Sequence, residues 1–174
     1  NRGFFPYVKP TLEIMLPLMT YYLNDEVRSF AIAIMPDLIK SSISAAKEGK
    51  TNERFLVDLF GKVIQRLVAC LKTEPETETL MELVKGVQGC MSVVGPGALA
   101  KQCLDRSGLE VVGSGLLRLL NQSMQKLNKL SVKISRTAPD MDEEEISKIE
   151  DQMVAEDELS FMAADCIGTL IKTH

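Results

Sequence analysis

The residues with chemistry to offer are few, and their spacing does not suit it. The chain has four cysteines, Cys70, Cys90, Cys103 and Cys166, and one histidine, the terminal His174. No two cysteines stand at C-x-x-C spacing, and a zinc site needs clustered nitrogen and sulfur ligands. A Ser-His or Cys-His pair needs an imidazole beside the nucleophile, and the interior of the chain has none. Gly113-Ser114-Gly115 lacks both the spacing and the preceding strand of a phosphate-binding loop. Carboxylates abound, but none falls inside an apolar stripe where burial would raise its pKa. No enzyme activity is expected, and no metal or cofactor. Cys70, Cys90 and Cys166 lie on apolar stripes and read as small buried hydrophobes of a reducing compartment.

Charge is the next candidate for function. The net charge is −4, yet Asp140 to Glu158 alone holds ten acidic residues and one lysine. This run has two readings. It is a solvated, partly disordered insert, or it is an electrostatic landing site for a basic partner. Asp140, Asp142, Glu143, Glu144 and Glu145 are its candidate contacts. Basic residues are scattered and do not gather on one face, so nucleic acid is not an expected partner. No apolar run reaches the roughly 18 residues that span a bilayer, so no membrane span is expected. The N-terminus has no signal-peptide pattern, and the chain reads as cut from a longer one.

Helices must position these groups. Leu12, Met15, Leu16, Met19 and Leu23 recur at helical spacing; after Asn24-Asp25 the spacing resumes with Val27, Phe30, Ala31, Ile34 and Leu38. The pattern predicts two antiparallel helices. Pro17 is expected to kink the first, and Asp25 to cap the second, which runs on towards Ala46. Phe30 is expected to fill a core site shared by both. Gly49 suits a helix end, and Thr51 or Asn52 a helix start. A second pair follows, with Leu56, Leu59, Phe60, Val63, Leu67, Cys70 and Leu71 on one helix. Leu80, Leu83, Val84, Val87 and Met91 lie on its partner. Gly86 and Gly89 weaken that partner and suggest close approach by a neighbour. After Gly95-Pro96-Gly97, Ala98 to Leu104 suits a short helical turn. A long stripe then runs through Leu109, Val112, Leu116, Leu120, Met124, Leu127, Leu130 and Ile134. Arg136 to Asp142 has loop chemistry, and the acidic run leads to a last helix with Leu159, Met162, Ala163, Cys166, Ile167 and Leu170.

These pairs superimpose. An offset of 132 lays Asp25-Glu26-Val27 on Asp157-Glu158-Leu159 and Leu38-Ile39-Lys40 on Leu170-Ile171-Lys172. An offset of 53 lays Val27, Phe30, Ala31, Ile34 and Leu38 on Leu80, Leu83, Val84, Val87 and Met91. The expected fold class is all-α, an α-solenoid of about three stacked helical hairpins. The units are 1–48, 52–95 and 109–174, with a linker at 96–108 and the acidic insert at 137–156. With the stripes facing inward, Glu26, Ser29 and Asp37 are left on the outer face of the first unit. Glu78 and Glu82, beside Lys85, take comparable places in the second. A mildly acidic groove of this kind suits a basic extended peptide.

The runs Gly3 to Val8, Pro10 to Leu18 and Asp25 to Arg28 resemble a HEAT repeat of the importin-beta (karyopherin-beta) superfamily, in particular the importin beta-3 type. The segment Thr73-Glu74-Pro75-Glu76 and the late acidic insert fit that type in the same order. The resemblance implies a segment of a nuclear import receptor that shuttles between cytoplasm and nucleus. Such a receptor binds basic protein cargo and the phenylalanine-glycine repeats of pore proteins. It releases cargo to Ran-GTP, which it contacts mainly through repeats outside this segment. The resemblance also places Arg28 in a polar ladder between repeats, with an interruption at Ser160. A HEAT scaffold of another kind, serving a phosphatase or a trafficking adaptor, is the alternative.

Overall fold

Two asparagines start two of the helices. The side-chain oxygens of Asn24 and Asn52 accept from the amides of Val27 at 3.0 Å and Phe55 at 2.9 Å. These bonds satisfy amides that the first helical turn leaves open. In the computed structural model, which describes residues 4–137 and 141–174, they cap α2 (Asp25–Ala33) and α4 (Glu53–Leu71). Asn24, and not Asp25, is therefore the cap of the second helix. The other helices are α1 (Phe5–Leu18), α3 (Met35–Lys47), α5 (Thr77–Val94), α6 (Ala98–Cys103), α7 (Arg106–Thr137) and α8 (Glu143–Thr173). Gly49, at φ +72°, closes α3: its amide reaches Ala46 O at 3.0 Å and that of Lys50 reaches Ala45 O at 2.9 Å. That bond pair is a Schellman end, which needs the left-handed residue that glycine supplies.

The fold is all-α, a solenoid of stacked antiparallel helix pairs, with no strand among the described residues. The first pair is α1 against α2 and α3, the second is α4 with α5, and the third is α7 with α8. Helix α5 is the hub: α2, α3, α4 and α8 all pack on it. Phe60, Leu67, Leu83, Val87, Met91 and Leu159 are among the side chains fully buried between them. Gly86 and Gly89 do mark a close approach, as their presence inside a helix suggested. A Cβ on Gly89 would lie 2.8 Å from the Pro36 ring, and one on Gly86 would lie 2.9 Å from Ile32 Cγ2.

Further expectations change. Helix α1 ends at Leu18, so Pro17 stands in its last turn instead of kinking a longer helix. Beyond it, the Thr20 amide and hydroxyl both turn back to Pro17 O at 3.2 Å, and Leu23 is left 65% exposed. The second helix is broken at Ile34 into α2 and α3. Pro36 causes this, because its ring has no amide to donate and crowds the carbonyl four residues back.

The third change is at Phe30, which is 75% exposed and not a core residue. The buried face of α2 and α3 runs through Arg28, Ala31, Ile32, Met35, Leu38 and Ile39. Periodicity alone does not choose between two apolar faces about one residue apart, and packing against α5 selected the second.

Last, the acidic run is neither a loop nor an insert ahead of the final helix. It is the first half of α8, from Glu143 onward, and α7 continues to Thr137 to meet it. Ile146, Ile149 and Met153 form a helical stripe within the acidic run, and Ile149 is buried. On α7, Met124 is 58% exposed while Ser123, at 1%, takes the inward place.

Candidate functional site

The outer faces of α2 and α5 enclose a groove of about 560 Å³. Helix α2 contributes Asp25, Glu26, Ser29, Phe30 and Ala33; α5 contributes Glu78, Thr79, Met81, Glu82 and Lys85. Asn24 caps α2 so that Asp25 and Glu26 stand in its first turn, where the helix dipole favours carboxylates. Four carboxylates thus ring the exposed Phe30. The single ammonium, Lys85, is tied to Glu82 at 2.7 Å. The arrangement offers an apolar ring inside an acidic rim. An arginine or lysine laid over Phe30 gains a cation–π contact and a carboxylate partner together.

Four of the residues singled out by sequence meet in this groove: Glu26, Ser29, Glu78 and Glu82. Asp37 does not. It lies on α3 in a separate cleft with Phe4, Ile34, Lys40 and Ser44. Asp140 lies outside the described residues. Asp142 caps α8, accepting from the Glu145 amide at 2.8 Å, and Glu143, Glu144 and Glu145 form the first turn. Glu144 holds Lys148 at 2.7 Å. These four acids start a helix, and none of them lines the groove. The sequence reading missed Phe30, because its spacing matched the core stripe, and Asp25, which it read as a helix cap.

On the first-helix side, a shallower depression of about 540 Å³ lies between α1 and α4. Leu16, Pro17 and Ala69 give it an apolar floor, with Lys62, Gln65 and Arg66 at the edge. Arg66 is fixed there: its Nε donates to Leu16 O at 3.1 Å and its Nη2 to Thr20 Oγ1 at 2.8 Å.

Buried charge joins the units. Arg28 donates to both carboxylate oxygens of Glu74 at 2.9 Å and to Tyr21 O at 3.0 Å. This links the first pair to the loop of the second. In the third unit the offset of 132 puts Ser160 in the place of Arg28, and its hydroxyl has no partner. Glu156, one turn earlier on α8, ties the third pair back to the second. Its carboxylate accepts from Thr77 at 3.0 Å, Ser123 at 2.6 Å and Lys126 at 2.9 Å. Burial pushes the Glu156 carboxyl up, but these three hydrogen bonds and the Lys126 charge outweigh it and hold the group below its ordinary range. Gln88 adds bonds from α5 to Asp165 at 2.6 Å and Thr169 at 3.0 Å on α8.

No family model matches the chain.

The thiols are all buried. Burial pushes Cys103 up to about 11 and Cys166 up to about 12, and it raises Cys70 and Cys90 as well. Because the thiolate is the nucleophile and the metal ligand, these groups stay protonated and inert near neutral pH. Among the described residues, no three His, Cys, Asp or Glu side chains converge to hold a metal ion. No helix among them is long and apolar enough to cross a membrane. Position by position, the structure offers a groove, a depression and buried ties between helix pairs.

Proposed function

We propose that this chain is a binding segment of a nuclear import receptor, holding protein partners without catalysing a reaction. The observation that carries the proposal is the groove between α2 and α5, where Phe30 stands among Asp25, Glu26, Glu78 and Glu82. It suits an extended basic segment of a cargo protein. Two further features support the reading: the resemblance of residues 3–28 to an importin-beta-type HEAT repeat, and the Arg28–Glu74 tie between successive pairs. The depression between α1 and α4 has the apolar floor that a phenylalanine-glycine repeat needs. In this reading Ran-GTP releases the cargo through other repeats, and the receptor shuttles between cytoplasm and nucleus.

The test is a titration of the chain with a labelled Arg/Lys-rich peptide, alongside retention on immobilised phenylalanine-glycine repeats. Glu78→Lys with Glu82→Lys should weaken peptide binding by about tenfold or more at low salt, since like charges then face each other. Addition of salt should weaken it in the parent. Unchanged affinity in the double variant would remove the groove from the proposal. Peptide binding without any retention on phenylalanine-glycine repeats would shift the reading to a scaffold or adaptor.

A further inference from the structure

A cleft of about 390 Å³ opens at the seam between the second and third helix pairs. Lys72 at the end of α4 and Gln122, Gln125, Lys126 and Lys129 on α7 line it. Two carboxylates also reach it, Glu74 and Glu156, and both are already committed. Glu74 is gripped by Arg28 at 2.9 Å through two nitrogens. Glu156 is held by Lys126, Ser123 and Thr77. Lys72 and Lys129 are exposed, and neither has an ion-pair partner among the described residues. The cleft therefore presents two uncommitted ammonium groups and two primary amides, with no uncommitted carboxylate, on a chain whose overall charge is −4.

We propose that this cleft docks an acidic extended segment of a partner protein. Lysine is a compact point charge with three donors, so it pairs with carboxylates without the fixed fork of a guanidinium. The amides of Gln122 and Gln125 supply donors for the oxygens that the lysines leave over. The volume falls within the roughly 300–1,000 Å³ of ordinary ligand sites, enough for a few residues of chain. No residue is shared with the lining of the α2–α5 groove, and the sign of the charge is opposite. The molecule thus has one recognition surface for a basic segment and a second for an acidic one.

Fluorescence anisotropy with a labelled Glu/Gly peptide of about eight residues tests this at low ionic strength, where exposed charges are least screened. A Gln/Gly peptide and a single-stranded oligonucleotide of equal charge are the comparisons. Lys72→Glu with Lys129→Glu should weaken the Glu/Gly peptide by about tenfold or more. The charge-matched control Lys47→Glu with Lys101→Glu should change it by less than about twofold. Both pairs are exposed, and melting curves should confirm that every variant folds. Equal weakening by the two double variants would reduce the cleft to the general field of the protein and overturn the proposal. So would equal binding of the Gln/Gly peptide, no binding of the Glu/Gly peptide, or tighter binding of the oligonucleotide.

Discussion

At the seam between the first and second helix pairs the buried charge that leads the contact is a cation, Arg28. At the seam between the second and third it is an anion, Glu156. Arg28 reaches forward from the earlier pair, and Glu156 reaches back from the later one. In the first unit α2 begins at Asp25, so Arg28 sits one turn in and reaches the loop that carries Glu74. In the third unit α8 runs straight through that place, and Ser160 stands where the arginine would be. Glu156 then faces Thr77 at the start of α5, where the helix dipole favours a negative charge. A stack of repeats needs its buried polar groups satisfied, and either sign serves if its partners are supplied.

The sharpest way to break this comparison is to remove one partner. Arg28→Ala leaves Glu74 buried without its counter-charge and should cost about 3–5 kcal/mol of stability in denaturant unfolding. Arg28→Met together with Glu74→Met should recover most of that loss, because the desolvation cost then disappears from both sides. A loss under about 1 kcal/mol for the single change would mean that the pair is solvated.

Glu156→Gln tests the other seam and should cost about 1–3 kcal/mol near neutral pH. Its pH dependence has a definite sign. The folded-state carboxyl is held below its ordinary value near 4.5, so the unfolded chain binds the proton more readily. The stabilisation is present above that value and is lost as pH falls through the folded-state value. The gap between parent and Glu156→Gln should therefore close in acid. A gap that stays constant down to pH ~3 would mean that folding leaves the Glu156 pKa unshifted.

Gly89→Ala compares packing at the first seam with the interior of α4. The Pro36 ring is stiff, and a methyl 2.8 Å from its Cγ must push α3 away from α5. Overpacking of about 1–3 kcal/mol outweighs the roughly 1 kcal/mol gained in helix propensity. Gly61→Ala, where nothing lies within 4 Å, should instead stabilise by up to about 1 kcal/mol. Thermal unfolding of the two variants should move in opposite directions. Equal shifts would mean that α5 does not approach Pro36 closely.

Phe30→Ala should have the smallest effect on folding, within about 0.5 kcal/mol, because the ring lies in solvent. It should nevertheless weaken the basic peptide at the α2–α5 groove by several-fold, through loss of the cation–π contact. A core-sized loss of stability would return Phe30 to the interior.

Much of this organisation is legible in the chain itself. The all-helical pairs follow from apolar spacing, Gly49 and Asn52 mark their ends, and Gly86 and Gly89 announce a close neighbour. The chemistry-poor content of four scattered cysteines and one terminal histidine is also plain from sequence. Tertiary structure alone decided which apolar stripe of α2 faces inward. A shift of one residue rotates a helix by about 100° and exchanges Phe30 for Ile32 and Met35. It also decided that Glu26, Ser29, Glu78 and Glu82 share a groove that Asp37 does not reach, because Pro36 breaks the helix between them. The fate of Glu156 was equally a matter of packing. A glutamate in an acidic run reads as solvated until Thr77, Ser123 and Lys126, from two other helices, close around it.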